Sequence, residues 1–415
     1  MATRNLRHHL QEDSSMPLSL RERQAVVREL APRYRKAAKH ERSQILDQVQ
    51  SLCQYDRAYA ARALRTARAE NPVRPRPGRG RKPQYGPDAK AALIRCWAIL
   101  NFPTGKRLQP ILPDLVARLE HFGELTLDVT VRTQLLAMSA ASIDRFLAAE
   151  RRRLEIKGRT GTKPGTLLKH QIPVRTWAEW DDATQPGFLE IDLVSHDGGA
   201  ARGDFAWTLD MVDILTGWTE TAALPNKARK WVVDALDAHR HQFPFPIRGI
   251  DSDNGSEFIN HHLVAWCDTH HITFTRSRAY HKNDGCYVEQ KNWTVVRRFV
   301  GYVRYEGSEP VAWLNALYAT LRLYTNFFQP LQKTVTKERQ GARVTRRYDR
   351  AQTPYQRVLA LSDDLVSPDQ KAALQAQYET LNPAELRRTL TRLQDQLWAT
   401  DPVASATAPI ISVSD

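Results

Sequence analysis

The chain has 415 residues, with 60 Lys+Arg against 46 Asp+Glu and a formal net charge of +14. That length exceeds one ordinary hydrophobic core and predicts about three domains, and the positive balance points to a polyanionic partner. No apolar run approaches the roughly 18 residues of a membrane-spanning helix, and Met1 to Ser15 lacks the apolar stretch of a secretory signal, so an integral membrane or secreted protein is not expected.

Leu20, Val26, Val27 and Leu30, then Ile45, Leu46, Val49 and Leu52, recur at helical spacing. A short break at Cys53-Gln54-Tyr55 leads into a basic helix from Asp56. Helix, turn, basic helix within residues 1–70 is a helix-turn-helix plan, with Arg57, Arg62 and Arg65 offered to phosphates or base edges. A surface helix in a bundle would read the same way. Residues 71–87 are rich in proline, glycine and arginine and read as a linker. Their centre, with Arg79, Gly80, Arg81 and Lys82, resembles the core of an AT-hook, in which glycine lets the backbone enter a narrow minor groove between flanking cations. A solvated basic tether is the alternative.

Residues 88–153 are expected to form a second helical DNA-binding unit. Its last helix, from Ser139, carries Arg145 and runs into Arg151, Arg152 and Arg153. The connector of residues 154–176 is basic and extended and is expected to lie along phosphates. The four cysteines (Cys53, Cys96, Cys267 and Cys286) are scattered without a C-x-x-C pair, so reduced thiols are expected rather than a disulfide framework or structural zinc.

Residues 177–328 change character. The pattern predicts strands at Phe188–Ser195, Phe205–Ile214 and Trp218–Ala223, a helix at Lys230–Gln242, a strand at Pro246–Asp251 and a helix at Glu257–His270. A short strand at Ile272–Thr275 precedes a helix carrying Glu289, and Trp313, Leu314, Leu317, Leu321 and Tyr324 mark a last core helix. Antiparallel strands followed by β–α alternation predict a mixed sheet flanked by helices. Asp192 stands in the middle of an apolar strand, where a carboxylate is costly to bury unless paired or metal-bound. Asp253 follows another strand and precedes an Asn-Gly turn, at the end of a sheet where open α/β folds place their chemistry. Thirty-five residues separate Asp253 from Glu289. Two aspartates and a glutamate so placed suggest one metal site built from three segments. Asp251, two residues earlier on the same side of its strand, is the nearest decoy, and His261, His262, His270 and His271 are read as surface residues.

Strand-borne Asp192, the run Ser252-Asp253-Asn254-Gly255-Ser256-Glu257-Phe258 and Glu289 after its gap resemble the catalytic core of retroviral integrases and integrase-type insertion-sequence transposases. The resemblance spans about Trp177 to Phe328. It implies an RNase H-like core, metal-dependent phosphoryl transfer on DNA and a homo-oligomer that holds two DNA ends. It assigns Asp192, Asp253 and Glu289 to the acidic triad. Phosphoryl transfer of this kind calls for two Mg²⁺ ions, with Mn²⁺ as a substitute, on hard oxygen ligands. The chain departs from the family's usual Tyr-His-Pro-Gln at Tyr280-His281-Lys282-Asn283 and lacks a His/His/Cys/Cys zinc domain. His281, Lys282, Lys291, Arg297 and Arg298 are the expected DNA contacts around Glu289.

Residues 329–415 are read as a basic segment followed by an amphipathic helical tail, suited either to docking and self-association or to ordinary packing. The expected architecture is therefore multidomain: N-terminal all-α helix-turn-helix units, a central α/β RNase H-like core with a mixed sheet, and a basic C-terminal segment with a helical tail. The expected function is a transposase that binds terminal inverted repeats, cleaves 3′ ends and joins them to target double-stranded DNA. It would work in the cytoplasm at the bacterial nucleoid, with no membrane partner. A regulatory DNA-binding protein on an inert RNase H-like scaffold, or a nuclease or junction resolvase, are the alternatives.

Overall fold

The computed structural model describes residues 18–67, 84–152, 184–253, 255, 257–258, 260–276, 286–341 and 343–399. Most of the 71–87 linker, the 154–176 connector and the last residues of the tail lie outside them, as do Arg79, Arg81, Lys82, Arg153, His281 and Lys282. The chain divides into two units, Met1–Lys82 and Pro83–Asp415.

In the first unit α1 (Leu20–Lys36) opens on a capping box, in which the Ser19 hydroxyl accepts from the Glu22 amide while the Glu22 carboxylate accepts from Ser19. Helix α2 (Lys39–Cys53) ends on left-handed Gln54, and α3 (Arg57–Thr66) starts from Asp56, whose side chain caps the Tyr59 amide. The three helices close over a core that includes Val27, Leu30, Ile45, Val49, Cys53 and Leu64. Only Ala60 and Leu64 of α3 are buried, so most of its surface remains polar.

The second unit is built on a five-stranded sheet of order β3-β2-β1-β4-β5. Strand β1 (Phe188–Ser195) is central, antiparallel to β2 (Trp207–Asp213) and parallel to β4 (Gly249–Ser252); β3 (Thr219–Leu224) pairs antiparallel to β2, and β5 (Thr273–Arg276) parallel to β4. This is the mixed sheet of an RNase H-like core. Side chains alternate across a strand, so Leu189, Ile191 and Leu193 enter the larger apolar core while Glu190, Asp192 and Val194 share the opposite face.

Among the described residues, four helices precede the sheet: α4 (Pro87–Ile99), α5 (Gly105–His121), α6 (Val129–Leu136) and α7 (Ala140–Arg152). Their buried residues Leu93, Trp97, Leu112, Leu135 and Leu147 belong to one continuous apolar core with the strands. The expectation of a self-standing unit at 88–153 is therefore revised: these helices bury too much apolar surface to close a core alone and complete it against the rest of the unit. Two further helices, α8 (Arg229–His239) and α9 (His261–Thr269), contribute Val232, Leu236, Leu263 and Cys267 to the same core.

Helix α10 (Cys286–Lys291) continues through a π-helical turn at Asn292–Arg297 and a last turn at Arg298–Val300. Helix α11 (Ser308–Phe328) packs with that segment over the face that carries Val194. The Tyr324 hydroxyl donates to the Ile99 carbonyl at 2.5 Å, joining α11 to the end of α4. A two-stranded ribbon, β6 (Thr334–Gln340) and β7 (Arg343–Tyr348), follows. The tail forms α12 (Pro354–Leu359), α13 (Pro368–Thr380) and α14 (Pro383–Ala399). Leu390 and Leu397 of α14 are buried against α11, and Arg388 pairs with Glu124 beyond the end of α5 at 2.6 Å. The amphipathic face of the tail is thus spent largely on its own unit. Among the described residues, no helix is long and apolar enough to cross a membrane.

Candidate active site

Asp192 is half-buried near the centre of β1. One of its oxygens accepts from the Leu193 amide at 2.8 Å and the other from the Asn292 side-chain amide at 2.6 Å. The parallel register pairs Ile191 with Ser252. Asp192 and Asp253 are the next residues along the two chains, and neighbouring strands lie about 4.8 Å apart.

Asp253 accepts the Gly255 amide at 2.8 Å, closing a tight turn. A β-carbon on Gly255 would lie 2.7 Å from the Glu257 carboxyl carbon and 2.8 Å from an Asp253 oxygen, so a larger residue there would push the two acid side chains aside. The Asp253 side chain reaches solvent, yet protein crowding raises its carboxyl above the usual range; the Gly255 amide opposes this and Glu257 adds to it.

Glu289 lies in α10, with a side chain outside the described set. The helix itself is held at two points that bracket this position. The Val288 amide donates to the buried Glu190 carboxylate at 3.0 Å, and Asn292 donates to Asp192. Glu190 thus places negative charge at the amide end of the short helix, where it is favourable. Neither anchor was singled out from sequence. Glu190 could have been found as the acid two residues before Asp192, hence on the same face of β1; Asn292 had no signal beyond falling one turn after Glu289.

A further acid sits on the other side. Asp210 faces Asp192 directly across the antiparallel register and is fully buried. Neither of its oxygens has a hydrogen bond of ordinary geometry among the described residues. Burial raises its carboxyl strongly, Lys291 counteracts this and Asp192 reinforces it. Lys291 is buried in turn, which lowers its ammonium against the opposing pull of Asp210, and its Nζ donates to the Gly217 carbonyl at 3.3 Å. The face therefore concentrates carboxylates, with one inward lysine as partial compensation. Among the described residues no three His, Cys, Asp or Glu side chains form a complete metal cage. The donors that are present, Asp192 and Asp253, are hard oxygens of the kind that suit Mg²⁺.

The decoys separate cleanly. Asp251 accepts from the Thr275 hydroxyl at 2.6 Å. Asp213 is a buried turn residue that accepts from the Gly187 and Thr216 amides, both at 2.7 Å. His261, His262 and His271 are exposed, and His270 lies 3.7 Å from Asp237.

The expected DNA contacts divide. In α3, Arg62 and Arg65 are exposed, whereas Arg57 is held by Asp47, Gln50 and Ser43 of α2. In α7, Arg152 is exposed and Arg145 donates to Ser142 at 3.1 Å, but Arg151 turns inward to Asp144 at 2.7 Å. Near Glu289 the cations also turn inward. Lys291 is engaged as above, Arg297 donates to the Ser195 carbonyl at 2.6 Å, and the Arg298 guanidinium lies over the rings of Trp293 and Phe102 at 5.7 and 5.9 Å.

Comparison with known proteins fits this geometry. The sequence pattern described as "Integrase core domain" matches residues 183–282, which hold β1 to β5 and both Asp192 and Asp253. The chain is 39% identical over 333 residues to the uncharacterized protein y4rM of Sinorhizobium fredii, a match covering 80% of this chain and 93% of the relative.

Proposed function

The chain belongs to the family built on an integrase core domain, and from that premise we propose that it is a DNA transposase acting on the ends of an insertion sequence. The observation that supports this reading is the parallel register of β1 with β4, which pairs Ile191 with Ser252 immediately before Asp192 and Asp253, while Glu289 lies in α10 beyond the sheet. Asp192, Asp253 and Glu289 would hold two divalent ions, Mg²⁺ or Mn²⁺. Such ions neutralise charge on the entering and leaving oxygens of a phosphoryl transfer.

The chain's own residues supply the rest. Glu190 and Asn292 hold the helix that bears Glu289 against the central strand. Asp210 and Lys291 form the dry floor beneath Asp192, and Gly255 lets the Asp253 turn close. Water enters from the Asp253 side, the exposed edge of the site, and a 3′ end cut there would leave a hydroxyl to attack target DNA. The exposed arginines of α3 are suited to a recognition helix in the major groove, and the reading includes a homo-oligomer that pairs two ends.

The test uses purified protein with duplexes carrying the inverted ends that flank the gene. Asp192→Asn, Asp253→Asn and Glu289→Gln should each lower Mg²⁺-dependent cleavage on the order of a thousandfold, the scale of losing a group that stabilises charge in the transition state. End binding should persist in all three. Full cleavage by any one variant removes that residue from the site, and target joining by the wild type distinguishes a transposase from a simple nuclease.

A further inference from the structure

Among the described residues, the strands of the β6–β7 ribbon pair only with each other. Every described side chain in both strands is exposed, on both faces. A bare two-stranded hairpin is marginally stable in water and normally needs a surface to lie against. This one also displays Val335, Val344 and Tyr348, which are 65%, 45% and 53% exposed, among Arg339, Arg343, Arg346 and Arg347. Glu338 is the single acid in the two strands.

The base of the ribbon, by contrast, is fixed. Leu331 bridges Gln352. Asp349 accepts the Lys333 amide at 2.8 Å and pairs with Arg357 at 2.7 Å. The Lys333 ammonium is buried against the Ile214 carbonyl, with Asp213, Arg357, Lys291 and Glu190 as the charges around it. Glu190 and Lys291 also border the acidic face of β1. The root of the ribbon therefore shares the charges of Glu190 and Lys291 with the acidic face of β1.

We infer that this ribbon is an arm that enters a groove of duplex DNA and holds it across the acidic cleft. The inference rests on duplex DNA being the substrate, and adds where the protein grips it. The register places Arg339 and Arg346 on one face of the ribbon and Arg343 and Arg347 on the other. A blade with cations on both sides matches a groove whose two walls are both phosphate, and the major groove is wide enough for a two-stranded β-ribbon. Tyr348 and Val344 supply apolar contact for sugars and thymine methyl groups. A second copy of the ribbon is a poor occupant, because pairing two such strands would set arginines against arginines.

The experiment measures affinity of the full chain for a random-sequence duplex across a salt series, with EDTA present so that cleavage cannot intervene. Each lost phosphate contact should reduce the slope of log K against log salt by about 0.9. The R343S/R346S/R347S variant should therefore lose about 2–3 from the slope, and its Kd near physiological salt should rise at least tenfold. Its melting temperature should not move, and R343K/R346K/R347K should keep most of the wild-type slope. An unchanged slope and Kd in the serine variant overturn the arm while leaving DNA as the substrate. A lower melting temperature in the serine variant, shared by the lysine variant, overturns it in favour of a structural role. No duplex binding by the wild type overturns the arm together with the proposed substrate.

Discussion

The helices of residues 18–67 and those of residues 84–152 look alike along the chain, each a series of amphipathic segments ending in a basic one. Folded, they differ in kind. The first set closes its own core around Val27, Val49 and Leu64 and leaves most of α3 to solvent. In the second, α4 buries Ala89, Ala92, Leu93, Cys96, Trp97 and Ile99 over much of its circumference, in a core it shares with the sheet. A narrow apolar stripe suffices for a small bundle, whereas apolar residues over most of a helix signal that something larger must cover it. Similar periodicity thus hides two roles, an independent module and a structural layer of the central domain.

The sharpest way to break this contrast is a matched pair of truncations. Trp97→Ala removes a ring that is 1% exposed in the shared core. It should cost about 3–5 kcal/mol and lower the melting transition of the strands along with the helices. Leu64→Ala in α3 should cost about 2–5 kcal/mol but fall on the first unit alone, leaving the main transition in place. Calorimetry of the two variants decides the matter. If Trp97→Ala melts the second helical set while the sheet transition stays put, the shared core is refuted.

A smaller effect probes how that layer is assembled. Gly105 begins α5, where an added β-carbon would sit 2.2 Å from the Ala140 carbonyl oxygen of α7, while its own amide donates to Asp144 at 2.8 Å. No side chain can occupy this approach without moving a backbone. Gly105→Ala should destabilise the second unit by about 1–3 kcal/mol, as overpacking does, measured by denaturant midpoint at constant slope.

What could be read from the residues follows how local each feature is. β1 was legible to its ends because an apolar run broken only by Glu190 and Asp192 is a strong pattern, and the end of β4 because an Asn-Gly pair marks where the strand stops. The strand expected at Pro246–Asp251 is found at Gly249–Ser252, with 246–248 leading into it as loop. The helix expected from Glu257 starts at His261, where Asn260 supplies the cap. The ribbon was hidden because the charged run Lys337-Glu338-Arg339 and the arginines Arg343, Arg346 and Arg347 interrupt its β-branched residues. Least legible were the inward turns of Lys291 and Arg297. A cation on a helix reads as a solvated or DNA-facing charge until the acids and carbonyls it meets, Asp210 and Ser195, are brought in from distant strands.

The smallest expected effect concerns the tie between the second helical layer and the tail. Arg388 donates to both oxygens of Glu124, at 2.6 and 3.0 Å, and Asn382 donates to the same carboxylate at 2.7 Å. Hydrogen bonding from Arg388 is the main reason that the Glu124 carboxyl is lowered from 4.5 to about 2. A carboxyl depressed on folding contributes stability that is complete above its unfolded value and lost as pH falls toward the folded one. The tie should therefore hold at neutral pH and weaken between about pH 5 and pH 2. Arg388→Met removes the cause, so the variant should melt slightly lower at pH 7 and show a shallower loss on acidification, the two curves converging near pH 2. Parallel curves across that range would mean that α14 is held to its unit by Leu390 and Leu397 alone, with the ion pair as a bystander.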